Sequence, residues 1–219
     1  MFFDYFELFL QQIFYVTEMD FRKIKLKDLA KISSGYSFRE KIVNNPEGNV
    51  FAIQMRDISD DRTTICQIPH KVFIDKLDHK HLLGRGDILF AAKGSNNYAV
   101  YYDMEYSPAV AASAFFIIRS DKKKIFPEYL YHVINSPIGQ TYLHSNLTGT
   151  YIPNINKSVL IEMKIPVPPL AIQQKIVKFL SLFQKETELL QKIASKRKLI
   201  LNEQTNNILT GKIQFQDGK

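Results

Sequence analysis

The stretch that decides the fold is Lys164-Ile-Pro-Val-Pro-Pro-Leu170, which continues through Ala171-Ile-Gln-Gln-Lys-Ile-Val177 with no further proline or glycine before Gly211. Proline fixes φ and lacks an N–H group, so Pro168 and Pro169 suit an extended segment that leads into the first turn of a helix. The sequence therefore predicts a proline hinge at 164–170 and a helix over 171–210. A helix of about 38 residues spans ~57 Å, which is longer than a compact domain of this size needs.

The predicted helix carries apolar residues at the spacing of a coiled coil. They are Ile172, Ile176, Phe179, Phe183, Leu190, Ile193 and Ile200. Such a stripe is buried only when another helix packs against it. The pattern therefore predicts a strut or an arm that binds a partner.

Composition and charge limit the classes of partner. The chain has 219 residues and is 45% hydrophobic, enough for a core and one or two domains. Beyond residue 18, the 29 Lys and Arg outnumber 19 Asp and Glu. This excess favours a polyanion, nucleic acid ahead of a membrane surface, although a general Lys- and Asn-rich bias would also produce it. The single cysteine, Cys66, excludes an intrachain disulfide and favours a reducing, cytoplasmic setting.

Residues 1–18 form a hydrophobic leader. It is too short to span a bilayer and is interrupted by Asp4 and Glu7. It also lacks the basic start and the cleavage site of a signal peptide. Two interpretations remain open: a short helix that caps the domain or a neighbour, or a true start at Met19.

The residues between the leader and the hinge predict a mixed domain. Apolar spacing predicts a short amphipathic helix over 25–33 and several strands between 50 and 119. Two short helices follow over 126–147, divided at Ser136-Pro137, and turn and strand return over 148–163. The fold class is therefore α+β: one mixed α/β domain at 19–163, then the hinge, the helix and a tail at 211–219.

One predicted turn between strands, Lys93-Gly-Ser-Asn-Asn-Tyr98, combines side chains that suit DNA. Lysine contacts phosphate or guanine, asparagine pairs with adenine, and tyrosine stacks or contacts phosphate. The predicted DNA contacts here are Lys93, Ser95, Asn96, Asn97 and Tyr98. A plain polar hairpin would use the same residues equally well.

Three further polar segments offer similar groups beside predicted strand ends. Their candidate DNA contacts are Ser37, Arg39, Gln54, Arg56, Thr150, Tyr151 and Asn154. An ordinary surface ion pair with Asp57 or Asp60 is the alternative for Arg56.

The sequence contains none of the motifs of common catalytic sites. There is no phosphate-binding loop, no dinucleotide fingerprint, no His-Glu-x-x-His and no nucleophile elbow. His79 and His81 have no third metal ligand nearby in sequence. The acidic pairs Asp60-Asp61 and Glu186 with Glu188 fit a solvated surface. We therefore predict no catalytic residue, no metal and no bound cofactor.

Five segments, in this order, resemble the specificity (S) subunits of type I restriction–modification systems. They are Leu29-Ala-Lys-Ile-Ser-Ser-Gly35, Gly86-Asp-Ile-Leu-Phe-Ala-Ala-Lys-Gly94, Tyr129-Leu130 with Ser136-Pro-Ile-Gly-Gln140, Gly149-Thr-Tyr-Ile-Pro-Asn-Ile-Asn156, and Ile165-Pro-Val-Pro-Pro-Leu-Ala-Ile-Gln-Gln-Lys-Ile-Val177. The resemblance covers about residues 22–210. Ile172 departs from it, because the family usually has Glu before the Gln.

The resemblance implies a non-catalytic target-recognition domain that binds double-stranded DNA. Methyltransferase (M) subunits would bring S-adenosylmethionine, and a restriction (R) subunit would complete an adenine-specific methyltransferase and endonuclease. Family members usually carry two recognition domains and two spacer helices, whereas this chain has one of each. It therefore resembles a half-subunit whose helix would form an antiparallel coiled coil in a homodimer on a bipartite site.

Other interpretations stay open beside this one. A truncated or silent recognition cassette would also contain a single domain and a single helix. A chain that uses the helix to bind proteins and does not bind DNA would be an interaction scaffold or an antirestriction decoy.

Overall fold

The computed structural model describes residues 21–94, 96–149 and 153–212. The predicted leader, Ser95, Thr150 and Tyr151 lie outside the described residues. The strands are β1 (Lys23–Lys25), β2 (Ala30–Ser34), β3 (Val50–Ile53), β4 (His70–Val72), β5 (Ile88–Ala91), β6 (Ala99–Tyr101), β7 (Ala109–Ala111), β8 (Phe115–Ser120) and β9 (Lys164–Pro166). The α-helices are α1 (Pro127–Asn135), α2 (Pro137–Ser145), α3 (Lys157–Glu162) and α4 (Leu170–Leu209).

The strands form three sheets. An antiparallel sheet has the order β2-β8-β5-β6, and a second sheet has the order β4-β3-β7. In the second sheet β3 is antiparallel to β4 and parallel to β7. The third sheet pairs β1 with β9, so the first and last strands of the domain lie together. With the helices, this arrangement confirms the predicted α+β class.

One hydrophobic core joins the two larger sheets. It contains Ile53, Ile58, Leu83, Leu89, Ala91, Val100, Tyr102, Ala109, Ala111, Phe115 and Ile117. Strand β5 is buried at every position, which explains its uninterrupted apolar run Ile88-Leu-Phe-Ala91. The turn that follows β5 is consequently held on a rigid support.

Helices α1 and α2 are divided where the sequence predicted. Pro137 occupies the first turn of α2, and Ser136 caps it by accepting a hydrogen bond from the Gly139 N–H at 3.3 Å. Asn135, at the end of α1, donates to and accepts from the Ala99 backbone at 2.9 Å. This amide therefore pairs with both backbone groups of Ala99, the first residue of β6.

Two local predictions were wrong. Residues 25–33 form a short 3-10 turn (Leu26–Asp28) between β1 and β2 rather than an amphipathic helix. Alternating burial at Ala30 and Ile32 fits a strand, and β8 supplies the hydrogen bonds. Helix α3 also lies in the segment predicted as turn and strand.

The predicted hinge at 164–170 is part of the domain. Its first residues form β9, where Ile165 pairs with Ile24, and the Val167 N–H donates to the Arg22 carbonyl at 3.0 Å. The compact unit therefore extends to Gln174, and a second unit begins at Lys175. The proline spacing could not predict this because the pairing strand lies about 140 residues earlier in the chain.

The long helix is confirmed as α4, whose 40 residues span ~60 Å. From Ser181 to Asn206 every side chain is exposed. Among the described residues, no helix combines the length and apolar composition needed to cross a bilayer.

Candidate nucleic-acid interface

The turn between β5 and β6 is the centre of the candidate site. Gly94 has a φ of +97°, in the left-handed region that favours glycine, and lets the chain reverse after β5. Lys93 and Asn96 are exposed beside it. Asn97 instead is 4% exposed, and its Nδ2 donates to the Ala91 carbonyl at 2.9 Å. The structure thus uses Asn97 to shape the turn, whereas Lys93 and Asn96 remain available to a ligand.

A second loop, residues 59–64, meets this turn. Ile58 and Ile65 form a β-bridge at its base. Asp61 closes it by accepting hydrogen bonds from Ser59 and from the Thr63 N–H and hydroxyl. These bonds, with Ser59 contributing most, lower the pKa of Asp61, so the carboxylate stays charged and keeps the loop folded.

Arg62 lies within this loop and was not among the predicted DNA contacts. Its φ of +62° is in the left-handed region, which is costly for a residue with a Cβ and is maintained here by the Asp61 hydrogen bonds. The guanidinium carbon lies 5.5 Å from the centre of the Tyr98 ring, a cation–π distance. Arg62 forms no ion pair with any carboxylate in the described part of the chain. The sequence signals a turn there but not its contact with Tyr98.

Tyr98 connects these loops to the core. Its ring is half-buried, and burial raises the pKa of its hydroxyl above the ordinary value. The hydroxyl lies 4.0 Å from the Met55 sulfur. The phenol therefore stays protonated at neutral pH and holds the 59–64 loop, the β5–β6 turn and the segment after β3 in one place.

The segment after β3 is held by a buried carboxylate. Asp57 is fully buried and accepts the Gln54 N–H at 2.7 Å. Burial raises the pKa of Asp57, and the Gln54 hydrogen bond partly offsets that rise. Arg56 Nε lies 3.3 Å from Asp57 Oδ1, so the ion-pair alternative for Arg56 is present, with the arginine side chain still 48% exposed. The Gln54 Nε2 is buried, with no hydrogen-bond partner among the described residues, so this amide nitrogen is not presented to solvent.

The turn at 148–154 joins the β5–β6 turn from another side. Asn154 forms a β-bridge with Lys93, and the Gly94 N–H donates to the Pro153 carbonyl at 2.8 Å. The Thr148 hydroxyl donates to the Asn154 Oδ1 at 2.8 Å. The Asn154 amide oxygen therefore already has a partner.

The structure thus brings together Lys93, Asn96, Tyr98, Arg62 and Asn154, and Arg56 follows Met55, whose sulfur lies beside the Tyr98 hydroxyl. Ser37 and Arg39 are exposed after β2, and no described contact connects them to this group. No group of three metal-binding side chains occurs among the described residues. What the cluster offers chemically is cations, amide groups and one half-buried aromatic ring.

The seven predicted stripe residues of α4 fall into two groups. Ile172, Ile176 and Phe179 are half-buried. Phe183, Leu190, Ile193 and Ile200 are exposed by about half or more. The exposed group has the composition of a helix-pairing surface.

Comparisons with known proteins agree with this architecture. The family described as "Type I restriction modification DNA specificity domain" matches residues 18–196. The specificity subunit of the type I restriction enzyme MjaVIII from Methanocaldococcus jannaschii is 27% identical over 111 residues, 51% of this chain and 25% of that protein. The MjaIX specificity subunit of the same organism is 25% identical over 180 residues, 78% of this chain and 41% of that protein.

A solved structure shows a similar fold. The type I restriction–modification S subunit from M. genitalium superposes with a TM-score of 0.57 at 18% identity, over 88% of this chain and 46% of that chain. At this identity the likeness concerns the fold alone. The chain spans less than half the length of these three relatives. Because the family match covers most of the sequence, this protein belongs to the type I restriction–modification DNA specificity domain family.

Proposed function

We propose that this chain is the DNA-recognition component of a type I restriction–modification complex and directs M subunits to a bipartite target site. The observation that carries the proposal is the cluster of exposed cations and amide groups around Tyr98. Specificity subunits are non-catalytic, which agrees with the absence of catalytic motifs from this sequence. The chain acts in the cytoplasm, where its single thiol stays reduced.

Different residues of the cluster would contact the phosphate backbone and the bases of DNA. Lys93, Arg56 and Arg62 supply positive charge for phosphates, which fix the position of the protein on the duplex. Asn96 has the paired donor and acceptor that match an adenine edge. Asn97 and Tyr98 hold the turn in shape, so their contribution to specificity is indirect.

Helix α4 supplies the contacts for assembly. Its exposed stripe would pack antiparallel against a second copy of this chain, and each copy would bring one recognition domain. Leu182 and Leu189, which flank the stripe and are more than half exposed, leave further apolar surface for M subunits. Those subunits would bind S-adenosylmethionine and methylate adenine, and an R subunit would add the nuclease.

The DNA part is tested by duplex binding at several salt concentrations. The wild-type chain is expected to bind its target duplex, with log affinity falling linearly as log salt rises. The target comes from the methylation pattern of a host that carries the gene, where a palindromic bipartite motif is expected. A chain without DNA affinity at low salt would be an interaction scaffold or an antirestriction decoy.

Substitutions separate the cluster from the general charge. Lys93→Ala with Asn96→Ala should weaken specific binding and change the preferred base, and Arg62→Ala should weaken binding about 10-fold or more. Lys122→Ala with Lys123→Ala is the matched control, since both lysines are exposed at the opposite end of the sheet. Equal losses in the control and the cluster variants would contradict the assignment of the cluster.

The assembly part is tested with the full chain and the M subunits. Phe183→Asp should abolish assembly, because the change places a charge in the apolar stripe where two helices would pack. Size-exclusion chromatography with light scattering measures the mass. A wild-type chain that stays monomeric at micromolar concentration with M subunits present would overturn the dimeric arrangement.

A further inference from the structure

The exposed stripe of α4 has two polar positions in its coiled-coil register. Alternating steps of three and four residues from Ile176 define eight positions, which we call the seam. They are Ile176, Phe179, Phe183, Glu186, Leu190, Ile193, Arg197 and Ile200. All are apolar except Glu186 and Arg197. A heptad pattern places these two charges in the same row as the apolar residues.

Both charges are available to a partner. Glu186 and Arg197 are exposed, and neither forms an ion pair within the described residues. They are eleven residues apart, so they lie ~16 Å from each other along the helix and do not pair within it. A helix that packs on this seam must therefore supply an opposite charge for each.

We propose that a second copy of this chain supplies both charges, in one antiparallel register centred between Gln191 and Lys192. In this register Glu186 of each copy faces Arg197 of the other, so the charge pair occurs twice. Leu190 then faces Ile193, and Phe183 faces Ile200. The six seam residues from Phe183 to Ile200 thus pair with one another, as a two-fold interface requires. The inference rests on the self-association proposed above.

Other arrangements leave charges without partners. A parallel pair sets Glu186 against Glu186 and Arg197 against Arg197. An antiparallel pair shifted by one heptad sets Glu186 against Leu190 or Gln204. Each alternative buries a charge without a counter-charge, which costs more than the paired arrangement gains. The two pairs therefore select the register, and the apolar seam residues contribute most of the affinity.

Charge reversal in the full chain tests the register. Glu186→Arg alone creates two Arg–Arg contacts, and Arg197→Glu alone creates two Glu–Glu contacts. Each variant should dimerise at least ~100-fold more weakly than the wild type in sedimentation equilibrium. An equimolar mixture of the two single variants should form a heterodimer, because every facing pair is then opposite in charge. The chain with both reversals should dimerise like the wild type.

Two control variants carry reversals off the seam. Glu188→Arg and Lys198→Glu change residues that are also exposed and should alter the dimer dissociation constant by less than about 3-fold. Circular dichroism should show unchanged helix content in all variants.

The outcomes distinguish the register from self-association itself. Glu186→Arg that dimerises as tightly as a dimeric wild type would overturn the register while leaving self-association intact. Single variants that fail to form the heterodimer when mixed would also overturn it. A wild-type chain that is monomeric throughout would refute self-association, and the register with it.

Discussion

Replacing Gln173 with alanine is expected to destabilise the globular unit by about 3 kcal/mol. This glutamine lies in the first turn of α4 and is fully buried, which is unusual for so polar a side chain. Its Oε1 accepts the Phe126 N–H at 2.9 Å. Its Nε2 donates to the carbonyls of Pro168 at 2.9 Å and Lys124 at 3.2 Å.

The magnitude follows from the groups that alanine leaves without partners. A buried group that loses its hydrogen bond costs about 1–3 kcal/mol. The Pro168 carbonyl bond is buried, whereas the other two are partly exposed and water replaces part of their bonding. Values of about 2 kcal/mol for the first and well below 1 kcal/mol for each of the others give the total. For a unit of this size, that lowers Tm by roughly 6–12 °C.

Urea unfolding followed by circular dichroism measures the change. Gln174→Ala is the matched control, because the Gln174 side chain is next to Gln173 in the chain but is exposed. The unfolding free energy of this variant should stay within about 0.5 kcal/mol of the wild type. If Gln173→Ala also stayed within that range, the three hydrogen bonds of Gln173 would not contribute the stability that we assign to them.

Gln173→Glu adds a pH-dependent check. The introduced carboxyl would be buried and would face the Pro168 and Lys124 carbonyl oxygens, and these two effects raise its folded pKa more than the single Phe126 N–H lowers it. A raised folded pKa means that the penalty is absent below the unfolded pKa, about 4.3, and grows as pH rises. The variant should therefore lose less stability at pH 5 than at pH 8. A loss independent of pH would contradict this environment.

Three further changes test the packing of the domain. Asp87→Ala removes the carboxylate that accepts from Arg119 Nε at 3.1 Å, and should cost about 2 kcal/mol in urea unfolding because the arginine is one-third exposed. Two lysine hydrogen bonds lower the pKa of Glu162 to about 2, so they add stability above pH 4.5 that is lost as pH falls toward 2. Glu162→Gln should remove this pH dependence of the unfolding free energy, measured at low salt. Gly35→Ala would place a Cβ 2.2 Å from the Ala112 carbonyl oxygen and should strongly lower Tm. The Cβ introduced by Gly84→Ala meets nothing within 4 Å, so this control variant should keep the Tm of the wild type.

Periodicity predicted the elements whose cause is local. Helix α4 and the division at Ser136-Pro137 follow from proline positions and apolar spacing. The predictions failed where a distant strand decided the conformation. Ala30 and Ile32 fit either a helix or a strand until β8 supplies hydrogen bonds, and β9 depends likewise on β1. Local sequence contains no information on such partners.

The candidate site divides in the same way. The sequence indicated Lys93 and Asn96 through residue chemistry at a turn, and their role as DNA contacts stays a prediction. It could not show that the Asn97 side chain is hydrogen-bonded to the Ala91 carbonyl, because that bond depends on how the hairpin closes. Nor could it indicate Arg62, whose position over Tyr98 depends on packing between two loops about 35 residues apart.

By itself, the sequence determined a long polar helix with an apolar stripe, because helical spacing is a local property of the chain. It also determined the basic balance and the lack of catalytic motifs. Only the tertiary structure decided that the proline segment is a strand of the domain, that Gln173 is buried, and which polar residues share one surface. These depend on contacts between residues far apart in the chain, which form only when the core of the two sheets closes.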